Sequence, residues 1–168
     1  LYIACNARVT RVIITGSSGF IGSHLCLTLV QRDYAVTGID INTTGNKESN
    51  GFEVQQTDLT TSPELPEADV IVHLAAHSQV QSVVRNSRYA TENIEMTRHI
   101  LEEANRMDAS VIYASSRDVY GSAIQPAEDS VSPKSPNMYA ASKLGSEAIL
   151  NAFSTSRDVP VASIRLSN

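Results

Sequence analysis

The segment RVIITGSSGFIG, from Arg11 to Gly22, constrains this chain more than any other. Arg11 to Thr15 is a short run rich in β-branched residues and closed by Gly16, the pattern of a buried strand. From Phe20 to about Arg32 the apolar residues Ile21, Leu25, Leu29 and Val30 recur at helical spacing. A strand that passes into a helix through Gly16, Gly19 and Gly22 leaves few architectures open. Gly16 permits the tight turn, Gly19 lets backbone approach a pyrophosphate, and Gly22 lets the helix pack close to the sheet. The N–H groups at Phe20 and Ile21, at the positive end of the helix dipole, then face phosphates.

The rest of the chain repeats that alternation. Ala35 to Ile39 reads as a second strand ending at Asp40, followed by a polar loop from Asn42 to Gly51. Phe52 to Gln55 is a third strand, weaker in pattern, and a proline-punctuated connection (SPELPEA) leads to a strongly apolar fourth at Asp69–His73. The clearest helix runs from Ser87 to Met107, with Ile94, Ile100, Leu101 and Ala104 toward the core and its charges on a solvated face. Val111–Ala114 is a fifth strand, a further helix starts near Pro136, and Val161–Leu166 is a sixth strand. Strands alternating with helices imply an α/β fold, a doubly wound parallel (Rossmann) sheet over residues 11–168, with residues 1–10 as a leader. Such sheets bind ligands beyond the carboxyl ends of their strands, where the strand order reverses.

Composition narrows the partners. The net charge of −5 offers no basic excess to neutralise phosphates and argues against nucleic acid. No apolar run reaches membrane-spanning length and no signal peptide is evident, so the default location is the cytoplasm. Cys5 and Cys26 have no CxxC or Cys/His spacing, and His24, His73, His77 and His99 form no metal-ligand set, so no metal is expected. His24 and His99 are expected at helix surfaces. Asp40 stands at about the distance behind the glycines where an acid bonds ribose hydroxyls; taken alone it is equally a turn former. A carboxylate there would repel a 2′-phosphate, and Ile41-Asn42 supplies no basic residue, so NAD is favoured over NADP.

The ordered set TGSSGFIGSHL, Asp40, TDL at Thr57–Leu59, HLAA at His73–Ala76, Asn93, YASSRDVYG at Tyr113–Gly121, YAASK at Tyr139–Lys143 and RLSN at Arg165–Asn168 resembles the extended short-chain dehydrogenase/reductases, which include the nucleotide-sugar epimerases and dehydratases. The resemblance covers nearly the whole chain from Arg11 onward. It implies that Asp58 and Leu59 border the adenine and that Leu74, Ala75 and Ala76 pass under the cofactor's ribose and phosphates. It further implies a buried polar role for Asn93 and a substrate contact for Asn168.

The same resemblance makes Tyr139, Lys143 and Ser116 the reaction centre. Tyr139 and Lys143 are four apart, one turn along a single helix face. An ammonium beside the phenol, with the nicotinamide's positive charge nearby, is expected to lower the tyrosine pKa and make Tyr139 a general base. Lys143 would also hold the nicotinamide ribose. Ser116 would hydrogen-bond the substrate oxygen, and Ser115 is the competing hydroxyl, read as structural. Dehydratase-type members carry an Asp-Glu pair before VYG, where this chain has Arg117-Asp118. That counts against such a dehydratase and leaves an acid/base role open for Asp118.

The expected function is therefore the NAD-binding portion of a nucleotide-sugar epimerase-like enzyme, acting on a nucleotide-sugar or similar hydroxylated small molecule. A homodimer is compatible with it. The alternatives are a dehydratase or reductase of the same family, or a non-catalytic NAD-binding module. The chain opens on Leu1 and stops at Asn168, and it reads as truncated before the substrate-binding region.

Overall fold

The computed structural model describes residues 9–43, 51–121 and 135–167. Among them are six strands: β1 (Arg11–Thr15), β2 (Ala35–Asp40), β3 (Glu53–Gln56), β4 (Val70–His73), β5 (Ser110–Ser116) and β6 (Val161–Leu166). Four α-helices accompany them: α1 (Phe20–Val30), α2 (Val80–Arg85), α3 (Arg88–Met107) and α4 (Met138–Arg157). The strands form one sheet in the order β3-β2-β1-β4-β5-β6, and every neighbouring pair is parallel. The chain winds outward from β1 to β3, then returns to β1's other side with β4. The order therefore reverses between β1 and β4, whose last paired residues are Thr15 and His73. Beyond that pair lie the glycine turn and the Leu74–Ala76 segment, so the crevice expected of an open α/β sheet opens at the residues singled out from the sequence.

Both faces of the sheet are covered, which explains why the central strands read as apolar runs rather than alternations. Ile13 faces one layer, packed with Ile39, Ile71, Ile100, Leu101, Val111, Tyr113 and Leu150. Val12 and Ile14 face the other, with Cys26, Val36, Phe52 and Val72. Helix α3 lies on the first layer through Met96, Ile100, Leu101 and Ala104. Its charges pair along the outer face, Arg98 with Glu95 and Glu102, and Arg106 with Glu103.

Four sequence expectations need correction. His99 is 4 % exposed rather than at the surface: its Nδ1 lies 2.7 Å from the Leu59 carbonyl oxygen, which can only accept, and so donates to it. The single-turn 3-10 helix Leu59–Thr61 covers a second flank of α3, a neighbour that apolar periodicity does not register. Helix α4 starts at Met138, because the Asn137 side chain accepts the Ala140 N–H at 2.8 Å and caps the first turn. Ile94 is only half-buried, set against Gly145 of α4. Strand β5 also runs past Ala114 to Ser116, which gives β6 a register from Val111↔Val161 to Ser116↔Leu166. The short helix α2 lacks the length for a readable period. Most of the predicted Asn42–Gly51 loop, together with Cys5 and Asn168, lies outside the described residues.

Ile71, fully buried on a central strand, tests this core. Ile71→Ala should lower the unfolding free energy by about 3 kcal/mol, read as a shifted urea midpoint with an unchanged slope. A loss below about 1 kcal/mol would contradict the packing described.

Candidate cofactor and active site

The glycine turn is built from contacts that exclude side chains. Gly16 has φ +70°, and a Cβ there would lie 2.9 Å from the Ala75 nitrogen. At Gly22 an added Cβ would meet the Gly16 carbonyl oxygen at 2.2 Å, so helix α1 rests directly on the turn. The turn is tied to β2 by the Gly16 N–H donating to the Ile39 oxygen at 2.8 Å. Gly19 is the N-cap of α1 and brings no capping side chain, and the first turn holds no acidic residue. Phe20 and Ile21 stand exposed there. First-turn N–H groups without a side-chain cap, at the positive end of a helix dipole, form an anion site.

Asp40 closes the turn from the side. One carboxylate oxygen accepts the Ser18 N–H at 2.9 Å and the other the Asn42 N–H at 2.9 Å. Asp58 caps the Leu59–Thr61 turn, accepting the Thr60 N–H at 2.9 Å and the Thr60 hydroxyl at 2.7 Å, bonds that hold its carboxyl below the ordinary carboxylate range. Between these acids and the end of β4 lies a cleft of about 440 Å³, walled by Gly16, Asp40, Asp58, Leu59, Ala75 and Ala76, with His77, Arg88 and Glu92 at the far side. The His77 imidazole is 2.9 Å from the Glu92 carboxylate and stacks on Tyr89.

Asn93 is 2 % exposed and faces inward from α3. It accepts the His77 N–H at 2.7 Å, and its amide nitrogen donates to the His77 carbonyl at 3.3 Å and the Ser142 hydroxyl at 3.2 Å. Ser142 in turn donates to the Tyr139 carbonyl at 2.7 Å. Any influence of Asn93 on a ligand therefore passes through the His77 loop and the first turn of α4.

At the carboxyl end of β5, Ser116 accepts the Asp118 N–H at 3.2 Å. Burial pushes the Tyr139 phenol above its ordinary pKa, the Asp118 charge adds to this, and a hydrogen bond with Ser116 opposes it. Lys143 is 3 % exposed; its ammonium donates to the Ala114 carbonyl at 2.7 Å and sits 4.8 Å above the Tyr113 ring. The expected lowering of the Tyr139 pKa by Lys143 is thus not what the structure shows. The ammonium is held on β5, 5.8 Å from the Tyr139 ring centre, and burial is the largest influence on the phenol. Lys143 itself is pushed down to about 8 by burial.

Sequence reasoning passed over two groups. Glu147, one turn beyond Lys143, makes a double hydrogen bond to Arg165 of β6 at 3.0 and 2.7 Å, and Arg165 lies 4.8 Å over the Tyr120 ring. Tyr139, Lys143 and Glu147 fall at intervals of four, a signal available in the sequence. The other group is Thr15 with His73, whose partners come from distant segments. Among the described residues no three metal-ligating side chains converge.

The sequence matches the NAD dependent epimerase/dehydratase family over residues 12–168, and the chain belongs to that family. It is 30% identical to the dTDP-D-glucose 4,6-dehydratase of Homo sapiens, covering 94% of this chain and 51% of that protein. The UDP-N-acetylglucosamine 4-epimerase of Methanobrevibacter ruminantium M1, solved with UDP-N-acetylmuramic acid, superposes with a TM-score of 0.82 at 29% identity, over 94% of this chain and 54% of that one. The UDP-glucose 4-epimerase of Thermus thermophilus, solved with NAD, gives 0.80 at 27% identity, over 92% and 54%. The chain thus spans about half the length of these relatives. The site fits the family's cofactor: a turn that excludes a side chain at Gly16, an uncapped helix start and an acid-walled cleft meet at the switch point.

Burial of Lys143 makes stability depend on pH in a defined direction. Below about pH 8 the ammonium is charged in folded and unfolded chain alike, and the burial cost is present in full. Between there and the unfolded value of about 10.4 this lysine binds more proton in the unfolded chain, so its contribution to unfolding free energy rises with pH, while the raised Cys26 thiol works the other way. Lys143→Met should abolish that rise, and parallel denaturant titrations at about pH 7 and about pH 10 measure it. Identical pH profiles for parent and variant would contradict a buried, depressed lysine.

Proposed function

We propose that this chain is the NAD-binding portion of a nucleotide-sugar epimerase, with Tyr139 as general base. The observation that carries this reading is the meeting of Tyr139 and Ser116 at the carboxyl end of β5, at the same end of the sheet as the glycine turn. The glycine turn and the start of α1 would hold the pyrophosphate. Each Asp40 oxygen already accepts one amide and keeps lone-pair capacity for a ribose hydroxyl. Ala75 and Ala76 would lie against the dinucleotide. When bound, NAD supplies the acceptor, and then the donor, of a hydride exchanged with a sugar carbon. Ser116 would hold the sugar oxygen, and Tyr139 would take its proton at Oη and return it. As the chain stands Tyr139 keeps its proton at neutral pH, so its use as a base calls for added positive charge beside the phenol. Lys143, with one proton on the Ala114 carbonyl, retains two donors for a ribose hydroxyl.

A dehydratase reading draws on a separate observation, the Asp118 carboxylate whose charge acts on Tyr139. It lacks the first acid of the pair, because Arg117 occupies that position, and Asp118 stands at the second.

NAD should bind more tightly than NADP. Asp40→Ala should narrow the difference by removing both the hydroxyl acceptor and the repulsive charge, and calorimetric titration with each dinucleotide is the check. Equal or tighter NADP binding by the parent would defeat the ribose assignment.

In the whole protein, Tyr139→Phe should reduce turnover of nucleotide sugars by about a hundredfold or more while leaving NAD affinity near normal. Chromatographic analysis with UDP-, GDP- and dTDP-sugars reads the outcome. Turnover comparable with the parent would assign the proton transfer to another group.

A further inference from the structure

His73, the last residue of β4, is 1 % exposed and takes no part in the chemistry above, yet it lies directly beneath the cofactor turn. Its Nδ1 is 2.8 Å from the Thr15 hydroxyl oxygen. That same oxygen accepts the Leu74 N–H at 3.2 Å and the Ala75 N–H at 3.1 Å. A hydroxyl has one proton and two lone pairs. Two amides occupy the lone pairs, so the proton of Thr15 points at Nδ1, which must accept it. The ring's own hydrogen then sits on Nε2, which faces the Thr97 hydroxyl at 3.4 Å. Thr97 lies 2.9 Å from the Asn93 carbonyl, which can only accept, and 3.0 Å from the Ser146 hydroxyl. Its one proton goes to the carbonyl, leaving its oxygen to accept from Nε2–H and from Ser146. This arrangement satisfies His73 and both threonines, and the buried Tyr113 hydroxyl, which also bonds Ser146 and Thr97, extends the same set.

We infer that His73 is a positioning residue whose ring is held in the Nε2–H tautomer, so that Thr15 keeps both lone pairs on the Leu74 and Ala75 amides and seats that backbone against Gly16. A hydrogen on Nδ1 would confront the Thr15 hydroxyl and turn its proton toward the two amides, which are donors themselves. The Ala75 nitrogen that would lose its acceptor is the atom 2.9 Å from the Cβ position of Gly16. Burial, with the Lys143 charge adding to it, lowers His73 to about 3, so the ring stays neutral wherever the chain is folded. His73 touches no ligand; it acts through Thr15. The consequence for binding rests on the NAD site proposed above, whereas the tautomer does not.

The test has two arms. Nitrogen-15 NMR of the histidine-labelled chain reads the tautomer directly: His73 should show a protonated Nε2 and an unprotonated Nδ1, unchanged on mild acidification. A hydrogen on Nδ1, or an imidazolium near neutral pH, would overturn the assignment. In the second arm, Thr15→Val keeps the side-chain shape and removes the hydroxyl, and Thr15→Ser restores it. NAD affinity should fall about tenfold in Thr15→Val, as expected for an Ala75 amide stripped of its acceptor, and stay within about twofold in Thr15→Ser. Amide hydrogen exchange at Ala75 should quicken in Thr15→Val alone, while Leu74 keeps the Thr15 carbonyl as an acceptor. Unchanged affinity and exchange in a folded Thr15→Val would overturn the positioning role. If Thr15→Val does not fold, the tautomer signal from the parent and the affinity of Thr15→Ser decide. If the parent binds no NAD, the functional reading fails, and the tautomer and exchange results still judge His73.

Discussion

The approach of the Gly16 backbone to the Ala75 backbone is the contact on which the ligand end of this molecule depends. Strands β1 and β4 are hydrogen-bonded neighbours up to Thr15 and His73, and beyond them the chain departs in two directions. What keeps those departures close is the absence of a side chain at Gly16 and the two amides gathered by the Thr15 hydroxyl. Gly22 extends the same logic to helix α1, whose first turn lies against the Gly16 carbonyl. These glycines mark places where backbone touches backbone. A methyl group at either position would push apart the surfaces that form the crevice.

Polar bonds set helix α4 relative to this crevice as much as apolar packing does. Asn93 to Ser142 and Thr97 to Ser146 bridge α3 and α4 on either side of Lys143. Farther along, the Glu147–Arg165 pair joins α4 to β6. Burial raises the Glu147 carboxyl, and the Arg165 bonds more than reverse it, holding it below its ordinary value. A pair this enclosed repays its desolvation only in good geometry, which the double hydrogen bond provides. The ion pairs on the outer face of α3 remain hydrated and contribute little to stability.

The electrostatics around Tyr139 and Lys143 follow from the same burial. Tyr139 is raised, Lys143 is lowered, and His73 is neutral, all because charge is disfavoured where water is excluded. A site arranged in this way resists holding charge of its own and responds strongly to charge brought into it. The phenol and the ammonium are neighbours without being paired with each other.

Much of this was legible in the order of residues. The strand–turn–helix at Arg11–Gly22, the six strands and the amphipathic α3 follow from local periodicity, and each glycine role follows from spacing. Asp40, Ala75, Ala76, Ser116, Tyr139 and Lys143 could be singled out because their intervals are short and their places at element ends are readable. Tertiary structure alone decided what those groups do to one another. It buried His99 under a turn nearly 40 residues away in sequence, turned the Lys143 ammonium onto the Ala114 carbonyl, and raised Tyr139 where sequence reasoning lowered it. It also gave His73 its partners, Thr15 and Thr97, 58 and 24 residues distant. The physical reason is one of range: backbone preference and hydrophobic period act over a few residues, whereas desolvation and hydrogen-bond partnership depend on which segments the folded sheet brings together.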